Sequence, residues 1–337
     1  MSWLTDLGAT SPVVAAPMAG GPTTPALVLA AAGAGCLAFV AGGYLTGATL
    51  GEQLALVRAE TELYAVNLFA PRPVPVDRAA YAAYRELIGA EAERYAVDLP
   101  AEPVEDDDAW QDKVDVLLEH PAPVVSFTFG LPPTAVLAAL RRAGSLLVQT
   151  VTSADEARLA GEAGVDALAV QGSSAGGHSG TFSAQRVPPE RDLADLVAEV
   201  RAAGDLPLLG AGGIAGPEDV AAVLAAGADA VAVGTLLLLA DESGASAAHR
   251  AGLSDHARET AVMRAWTGRP ARGLRNAFSD AYDASAPTGY PALHHLTRPL
   301  RRAAAAAADP ERVNLWAGTG FRAARAAPAA EILAGLG

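Results

Sequence analysis

The sequence of 337 residues predicts an α/β fold, a (β/α)8 (TIM) barrel with an inserted helical subdomain and a helical C-terminal extension. Three observations lead to this prediction. The first is a repeated unit in which a helix, a glycine turn and a short apolar run follow one another. The others are a series of eight such apolar runs and one connection that is too long for a barrel loop. The unit is clearest at 31–43, 160–172 and 225–235. Its apolar runs lack polar alternation, which is typical of parallel strands buried on both faces.

The candidate strands alternate with segments of helical character, the pattern expected of βα units. They lie at 13–17, 36–41, 63–68, 123–128, 146–150, 166–171, 206–210 and 230–234. Eight regular units favour closure into a barrel, and an open doubly wound sheet is the alternative.

The connection at 70–121 is too long for a barrel loop and contains two helix-like stretches, about 78–96 and 107–119. We therefore expect two regions. The barrel comprises 1–69 and 122–245, and a smaller, mainly helical region that covers the substrate comprises 70–121 and 246–337. The acidic run at 105–108 is expected to be a solvated helix start, because carboxylates favour that end of the helix dipole. The segment GRPARGLRN (268–276) is expected to be too polar for a core element.

Composition excludes several classes of function. A net charge of −14 and an aromatic content of 5% argue against nucleic acid as a partner. Cys36 is the only cysteine and Lys113 the only lysine, which argues against a disulfide framework, a Schiff-base enzyme and a P-loop. Six histidines without HxH or HExxH spacing predict no metal site.

The first residues, MSWLTDLGATSPVV, contain neither a basic region nor an unbroken apolar run, so we expect no signal peptide. No apolar segment approaches the length of about 18 residues needed to cross a bilayer. These features predict a cytoplasmic protein without a membrane partner. They leave the oligomeric state open.

The active site of such a barrel lies at the carboxyl ends of the strands. Gly212-Gly213 follows the seventh candidate strand and Gly234-Thr235 follows the eighth. Paired glycine turns there let backbone N–H groups approach phosphate oxygens. The sequence therefore predicts a phosphate site, with tight βα turns as the alternative.

Three amide side chains, Asn67, Gln149 and Gln171, stand at or near strand ends. Neutral donors and acceptors suit a planar ring with carbonyl and N–H groups, and the backbone of Pro17, Met18 and Ala19 could lie against it. Together with the phosphate site, this predicts flavin mononucleotide (FMN) as the cofactor.

His178 is the only titratable residue in a loop of glycines and serines. The flanking glycines offer no packing wall for a buried imidazole, so we expect a catalytic role. An imidazole with an ordinary pKa near 6.5 is a competent base at neutral pH. A structural hydrogen bond is the alternative.

These motifs resemble a known family. VQGSSAGGHSG (170–180), APMAGG (16–21), GAGGI (210–214) and VGT (233–235) are similar to nitronate monooxygenases, formerly called 2-nitropropane dioxygenases. TGRPARGLRN (267–276), followed by Tyr290-Pro291, resembles the class I members. The resemblance spans roughly 13–320, and FMN-dependent enoyl-ACP reductases share its AGGH block.

The resemblance implies that FMN contacts Asn67, Gln171, Gly176, Gly213 and Ala232 to Thr235, and that His178 is catalytic. The complete set of residues predicted to bind the cofactor is Pro17, Met18, Ala19, Asn67, Gln149, Gln171, Gly172, Gly176, Gly177, Gly212, Gly213, Ala232, Val233, Gly234 and Thr235. Ser174 departs from the family pattern, which usually has Glu there.

The implied reaction is oxidation of an alkyl nitronate by O2 to a carbonyl compound and nitrite. Arg269, Arg272 and Arg275 could attract an anionic substrate such as propionate 3-nitronate, with Tyr290 as a further candidate contact; helix-end packing and surface ion pairs are the alternative. Two rival functions are an NAD(P)H-dependent FMN reductase of the enoyl-ACP reductase type and a non-oxidative nucleotide binder. The second would need a cysteine in an active-site loop, whereas Cys36 lies in a candidate strand.

Overall fold

The computed structural model describes residues 2–337 and contains a parallel sheet of eight strands. The strands are β1 (Val13–Ala15), β2 (Phe39–Ala41), β3 (Ala65–Phe69), β4 (Val124–Thr128), β5 (Leu146–Val151), β6 (Ala167–Gln171), β8 (Leu208–Ala211) and β9 (Ala230–Val233). They lie side by side in the order β1-β9-β8-β6-β5-β4-β3-β2. A parallel bridge between Ala15 and Ala38 joins the two edges. The prediction of a closed (β/α)8 barrel is confirmed.

The remaining strands form a separate three-stranded sheet in the order β10-β11-β7. They are β7 (Gly177–His178), β10 (Thr260–Met263) and β11 (Ala271–Leu274). Both pairings are antiparallel, and Ala271 of β11 pairs with His178 of β7. This small sheet fixes the loop after β6 to the C-terminal region.

Helices alternate with the barrel strands and continue beyond them. They are α1 (Ser2–Asp6), α2 (Pro25–Gly33), α3 (Gly47–Arg58), α4 (Arg78–Leu87), α5 (Gly89–Arg94), α6 (Trp110–Glu119), α7 (Thr134–Arg142), α8 (Ala154–Glu162), α9 (Leu193–Ala203), α10 (Pro217–Ala225), α11 (Ala247–Ser254), α12 (Ala277–Tyr282), α13 (Ala292–Ala306) and α14 (Ala329–Ala334). Hydroxyl caps start several of them: Thr24 accepts from the Leu27 N–H, and Ser153 from the Glu156 N–H. None of the helices in 2–337 is long and apolar enough to cross a membrane.

The pleat of each barrel strand decides which side chains reach the barrel interior. Val14, Phe39, Ala65, Val124 and Val148 belong to one apolar cluster inside the barrel. Their neighbours in sequence pack in a second, larger cluster between the strands and the surrounding helices. Each strand is therefore buried on both faces, as the unbroken apolar runs predict.

A third apolar cluster joins the insertion to the C-terminal region. Tyr81 and Tyr84 of α4, and Ile88 just after it, pack in this cluster. Trp266 and Leu296 of the C-terminal region pack against them. The Tyr84 hydroxyl donates to the Ala265 carbonyl at 2.7 Å. The two segments outside the predicted barrel thus share a core, and the proposed domain boundaries remain a prediction.

Two expectations about polar segments are wrong. Residues 268–276 were expected to be too polar for the core, yet Ala271–Leu274 forms the buried strand β11. Its one arginine, Arg272, is tolerated there because the Ser173 carbonyl, the Thr260 hydroxyl and the Glu190 carboxylate accept its hydrogen bonds. The acidic run is not simply solvated, because Asp108 accepts from the Tyr44 N–H at 2.8 Å and pairs with buried Lys113 at 2.6 Å.

Candidate active site

A cavity of about 630 Å³ opens at the carboxyl ends of the barrel strands. That volume lies within the range of about 300–1,000 Å³ that is typical of ligand and cofactor sites. Its floor is formed by inward residues of the barrel, and its far wall by residues between Thr267 and Gly320. The C-terminal region therefore completes a site that the barrel begins.

The two glycine turns meet at one end of this cavity. Gly212 and Gly213 have φ values of 122° and 77°, in the left-handed region that favours glycine. The hydrogen bonds formed among residues 2–337 leave the backbone N–H groups of Gly212, Gly213, Gly234 and Thr235 without an acceptor. Four unpartnered donors around one end of a cavity form the cradle that a phosphate group requires.

Most of the residues predicted to bind the cofactor line this cavity. They are Pro17, Met18, Ala19, Asn67, Gln171, Gly176, Gly177, Gly212, Gly213, Ala232, Val233, Gly234 and Thr235. Gly172 does not line it; its carbonyl accepts from the Ala175 N–H at 3.1 Å, which closes the turn after β6. Ser174 packs behind the cradle, where its carbonyl accepts from the Thr319 N–H at 3.0 Å.

The three predicted amides behave differently. Asn67 donates its Nδ2 to the Ser126 hydroxyl at 2.8 Å, and its Oδ1 accepts from no group within 2–337. Gln171 uses both ends of its amide on the next loop, donating to the His178 carbonyl at 3.1 Å and accepting from the Gly180 N–H at 2.6 Å. Asn67 therefore offers an acceptor to a ligand, while Gln171 holds the histidine loop.

Gln149 was predicted to bind the cofactor, but it does not line the cavity, so this prediction is wrong. The side chain is fully buried outside the barrel interior, and its Nε2 donates to the carbonyls of Phe127 and Thr150. The pleat turns Thr150, the next residue of β5, toward the cavity instead. A difference of one residue along a strand reverses the face on which a side chain lies.

His178 lines the cavity within an aromatic enclosure. Its ring centroid lies 5.8 Å from that of Phe129, 5.6 Å from Tyr290 and 5.4 Å from Trp316. Its Nε2 is 2.9 Å from the Thr267 hydroxyl. The glycines of its own loop provide no wall, as expected, but three distant segments provide one.

This enclosure changes the acid–base character of His178. Burial, with further contributions from the charges of Arg269 and Arg301, lowers the pKa of its imidazole to about 3. The expected value near 6.5 is therefore wrong. His178 is neutral at every physiological pH, which makes it a hydrogen-bonding group and a weak base.

The arginines predicted to attract substrate do not line the cavity. Arg269 is buried, donates to the carbonyls of Ser179 and Thr181, and lies over the Phe129 ring. Arg272 bonds the Ser173 carbonyl and Glu190, and Arg275 pairs with Asp280 at the surface. All three have structural roles, which was the alternative interpretation.

Tyr290 lies against the histidine rather than in the main cavity. Its hydroxyl donates to that of Tyr44 at 3.2 Å, and burial raises its pKa well above the ordinary value. It lines a second cavity of about 230 Å³, which adjoins the first and shares Tyr44, Phe69 and Phe129 with it.

The cations that do line the main cavity are on α13. Arg298, Arg301 and Arg302 all contribute to its wall, and Arg298 also lines the second cavity. The sequence analysis assigns no functional residue to this segment. The spacing of 298, 301 and 302 places them on neighbouring turns of one helix face, a signal that was present in the sequence.

A closed barrel whose cavity combines free backbone N–H groups with an enclosed histidine has the architecture of a barrel enzyme that acts on a small molecule. Comparison with known proteins gives the family: the sequence model of the nitronate monooxygenase family matches residues 1–337. The chain belongs to the nitronate monooxygenase family and is an oxidoreductase of that family.

Individual relatives agree with this assignment. The nitronate monooxygenase of Pseudomonas aeruginosa is 36% identical over 97% of this chain and 95% of its own length. A probable nitronate monooxygenase of Staphylococcus saprophyticus is 35% identical over 91% of this chain and 88% of its own.

Two solved structures are similar over nearly the whole chain. The nitroalkane oxidase from Streptomyces ansochromogenes has a TM-score of 0.94 and 44% identity, covering 99% of this chain and 96% of its own. FabK from Thermotoga maritima has a TM-score of 0.75 and 25% identity, covering 99% of this chain and 94% of its own.

Proposed function

We propose that this protein uses FMN to oxidise alkyl nitronates with O2, giving a carbonyl compound and nitrite. The observation that carries the proposal is electrostatic. A neutral histidine, whose pKa is lowered to about 3, faces the same cavity as the three arginines of α13. Such a site favours an anion and leaves the histidine available as a hydrogen-bonding group.

The residues present fit FMN. The unpartnered N–H groups of Gly212, Gly213, Gly234 and Thr235 would hold its phosphate. Asn67 Oδ1 would accept from a ring N–H, and Pro17, Met18 and Ala19 line the same cavity. Bound FMN supplies the redox centre that takes electrons from the nitronate and passes them to O2.

The chain's own contribution is to bind and orient the substrate. His178 would hydrogen-bond the nitro group, with its ring held between Phe129, Tyr290 and Trp316. Burial lowers the pKa of Arg301 to about 10, so its guanidinium group remains charged and would attract the anion. The aromatic walls exclude water, which strengthens these electrostatic interactions.

The low pKa of His178 favours one of two forms of the substrate. A base with a pKa of about 3 is too weak to remove a proton efficiently from a neutral nitroalkane. A nitronate arrives already deprotonated and needs only binding. We therefore assign nitronates as the better substrates, although the relative from Streptomyces ansochromogenes is named for nitroalkanes.

The test is to mix the purified yellow protein without oxygen, first with a nitronate and then, separately, with NADPH. We expect the nitronate to bleach the flavin absorbance and NADPH to leave it unchanged. With air, nitrite should form without NADH or NADPH. Rapid bleaching by NADPH alone would instead favour a reductase of the enoyl-ACP reductase type and overturn the proposal.

A further inference from the structure

A second histidine, His294, lies on the wall that the two cavities share. It is in the first turn of α13 and is 5% exposed. Its ring stacks on that of Tyr44, with centroids 4.1 Å apart and planes 5° apart. The stack fixes the orientation of the imidazole, so its two nitrogens point in defined directions.

The partner of one nitrogen fixes the proton on the other. His294 Nδ1 is 3.2 Å from a terminal nitrogen of Arg301. A guanidinium group has only donors, so Nδ1 must accept. Burial, reinforced by Arg301 and other nearby charges, lowers the pKa of His294 well below its ordinary value, so the ring is neutral. Its single proton is therefore on Nε2.

Arg301 is itself held in place, which makes this tautomer permanent. It donates to Thr297 Oγ1 at 3.0 Å, to Asn314 Oδ1 at 3.2 Å and to the His294 carbonyl at 2.9 Å. The guanidinium cannot rotate away without breaking these bonds. Its positive charge also polarises the imidazole, which strengthens the N–H on the opposite side as a donor.

The Nε2–H of His294 has no acceptor among residues 2–337. The protein does not fully enclose this nitrogen, and the two cavities that His294 lines are the open space beside it. A donor that faces a cavity and has no acceptor in the protein is available to an acceptor that a ligand supplies there. His294 and His178 both lie edge-on to the Tyr290 ring, at centroid distances of 6.5 and 5.6 Å.

We propose that His294 is a substrate-contacting residue whose Nε2–H, held by Arg301 and the Tyr44 stack, donates a hydrogen bond to an oxygen of the anionic nitronate. It transfers no proton; it positions the anion and favours it over the neutral nitro compound, whose oxygens carry less charge. This inference rests on the proposed function and assigns one determinant of its specificity.

The kinetic test compares three variants. His294→Phe keeps a ring on Tyr44 but removes the donor, His294→Gln restores an N–H, and His295→Gln alters the next residue without reaching the main cavity. We expect His294→Phe to raise KM for a nitronate about 10-fold to 100-fold with little change in kcat, the loss of a hydrogen bond to a charged group. His294→Gln should recover most of the loss, and His295→Gln should leave KM unchanged.

A binding test separates this inference from the proposed function. Nitrite is titrated into ¹⁵N-labelled holoenzyme while the histidine Nε2–H resonances are recorded, with His294→Phe used for assignment. A downfield shift of the His294 resonance supports the donor even if no nitronate is oxidised, in which case only the proposed function fails. Nitronate oxidation by a His294→Phe protein with wild-type KM, or a His294 imidazole protonated on Nδ1, would overturn the inference.

Discussion

The guanidinium carbon of Arg269 lies 3.9 Å from the centre of the Phe129 ring. Phe129 in turn meets the ring of the catalytic candidate His178 edge-on, with centroids 5.8 Å apart. A buried cation and an imidazole thus both contact the same aromatic ring. Burial lowers the pKa of His178, and the charge of Arg269 lowers it further.

Replacing Arg269 by Met should raise the pKa of His178 and destabilise the protein. The sign follows because removing a nearby positive charge favours protonation of the imidazole. The carbonyls of Ser179 and Thr181 would also lose their donor, at a cost of about 3 kcal/mol or more in unfolding free energy. An NMR titration of the histidines and urea unfolding measure both effects. Arg275→Met, which removes a surface arginine, is the control.

Gly213→Val should yield a protein that purifies without FMN. The φ of 77° is unfavourable for a β-branched residue, and a Cβ there would lie 2.8 Å from the Ser174 hydroxyl oxygen. The turn would have to shift, and its N–H groups would leave the phosphate cradle. Gly216→Ala is the matched control, because its Cβ would enter open space. A yellow Gly213→Val protein would contradict the assigned cradle.

His178→Ala should retain FMN and lose nitronate turnover by roughly 10-fold to 100-fold, the effect of removing one hydrogen bond to a charged group. The kcat/KM of the wild type should show no ionisation of His178 between pH 5 and 9, because its pKa is about 3. Steady-state rates with a nitronate across this range measure both. If kcat/KM of the wild type fell on acidification with an apparent pKa near 6.5, and that of His178→Ala did not, His178 would be a general base.

Acid should destabilise this protein through its buried histidines. The pKa values of His178 and His249 are lowered to about 3 and about 4, and that of His294 is lowered well below 6.5. Between pH 6.5 and 4 the unfolded chain binds protons that the folded chain does not, so stability falls as pH falls. Each histidine contributes a slope of up to about 1.4 kcal/mol per pH unit.

Unfolding free energies measured at several pH values test this slope. His249→Gln keeps a donor for the Trp316 carbonyl but removes the titrating group, so the pH slope should decrease by about one proton. His256→Gln, which replaces a histidine at an exposed position, is the control. An unaltered slope in His249→Gln would show that this imidazole is not buried in the neutral form.

Arg298→Gln should weaken binding of nitronates that carry a second negative charge. Arg298 lines both cavities and forms no hydrogen bond or ion pair within residues 2–337, so its charge is available to a ligand. We expect KM for propionate 3-nitronate to rise about 2-fold to 5-fold, in line with a partly exposed ion pair, and KM for ethyl nitronate to change little. Arg275→Gln is the control, and equal effects from both variants would indicate only a change in net charge.

The sequence by itself determined the barrel and the end of it that holds the site. Buried parallel strands require unbroken apolar runs, and close approach to a phosphate requires glycine, so β1 to β6, β8, β9 and the turn at 212–213 were readable from local pattern. The motif around His178 and the family resemblance also depend only on local sequence.

Only the tertiary structure decided which side chains face the ligand and how they ionise. Gln149 and Thr150 exchange roles because strand register sets the inward face, and register depends on neighbouring strands. His178 loses its basicity because Phe129, Arg269, Tyr290 and Trp316 converge on it from segments far apart in the sequence. The cations of the cavity come from α13 rather than from 268–276, because burial and charge depend on packing in three dimensions.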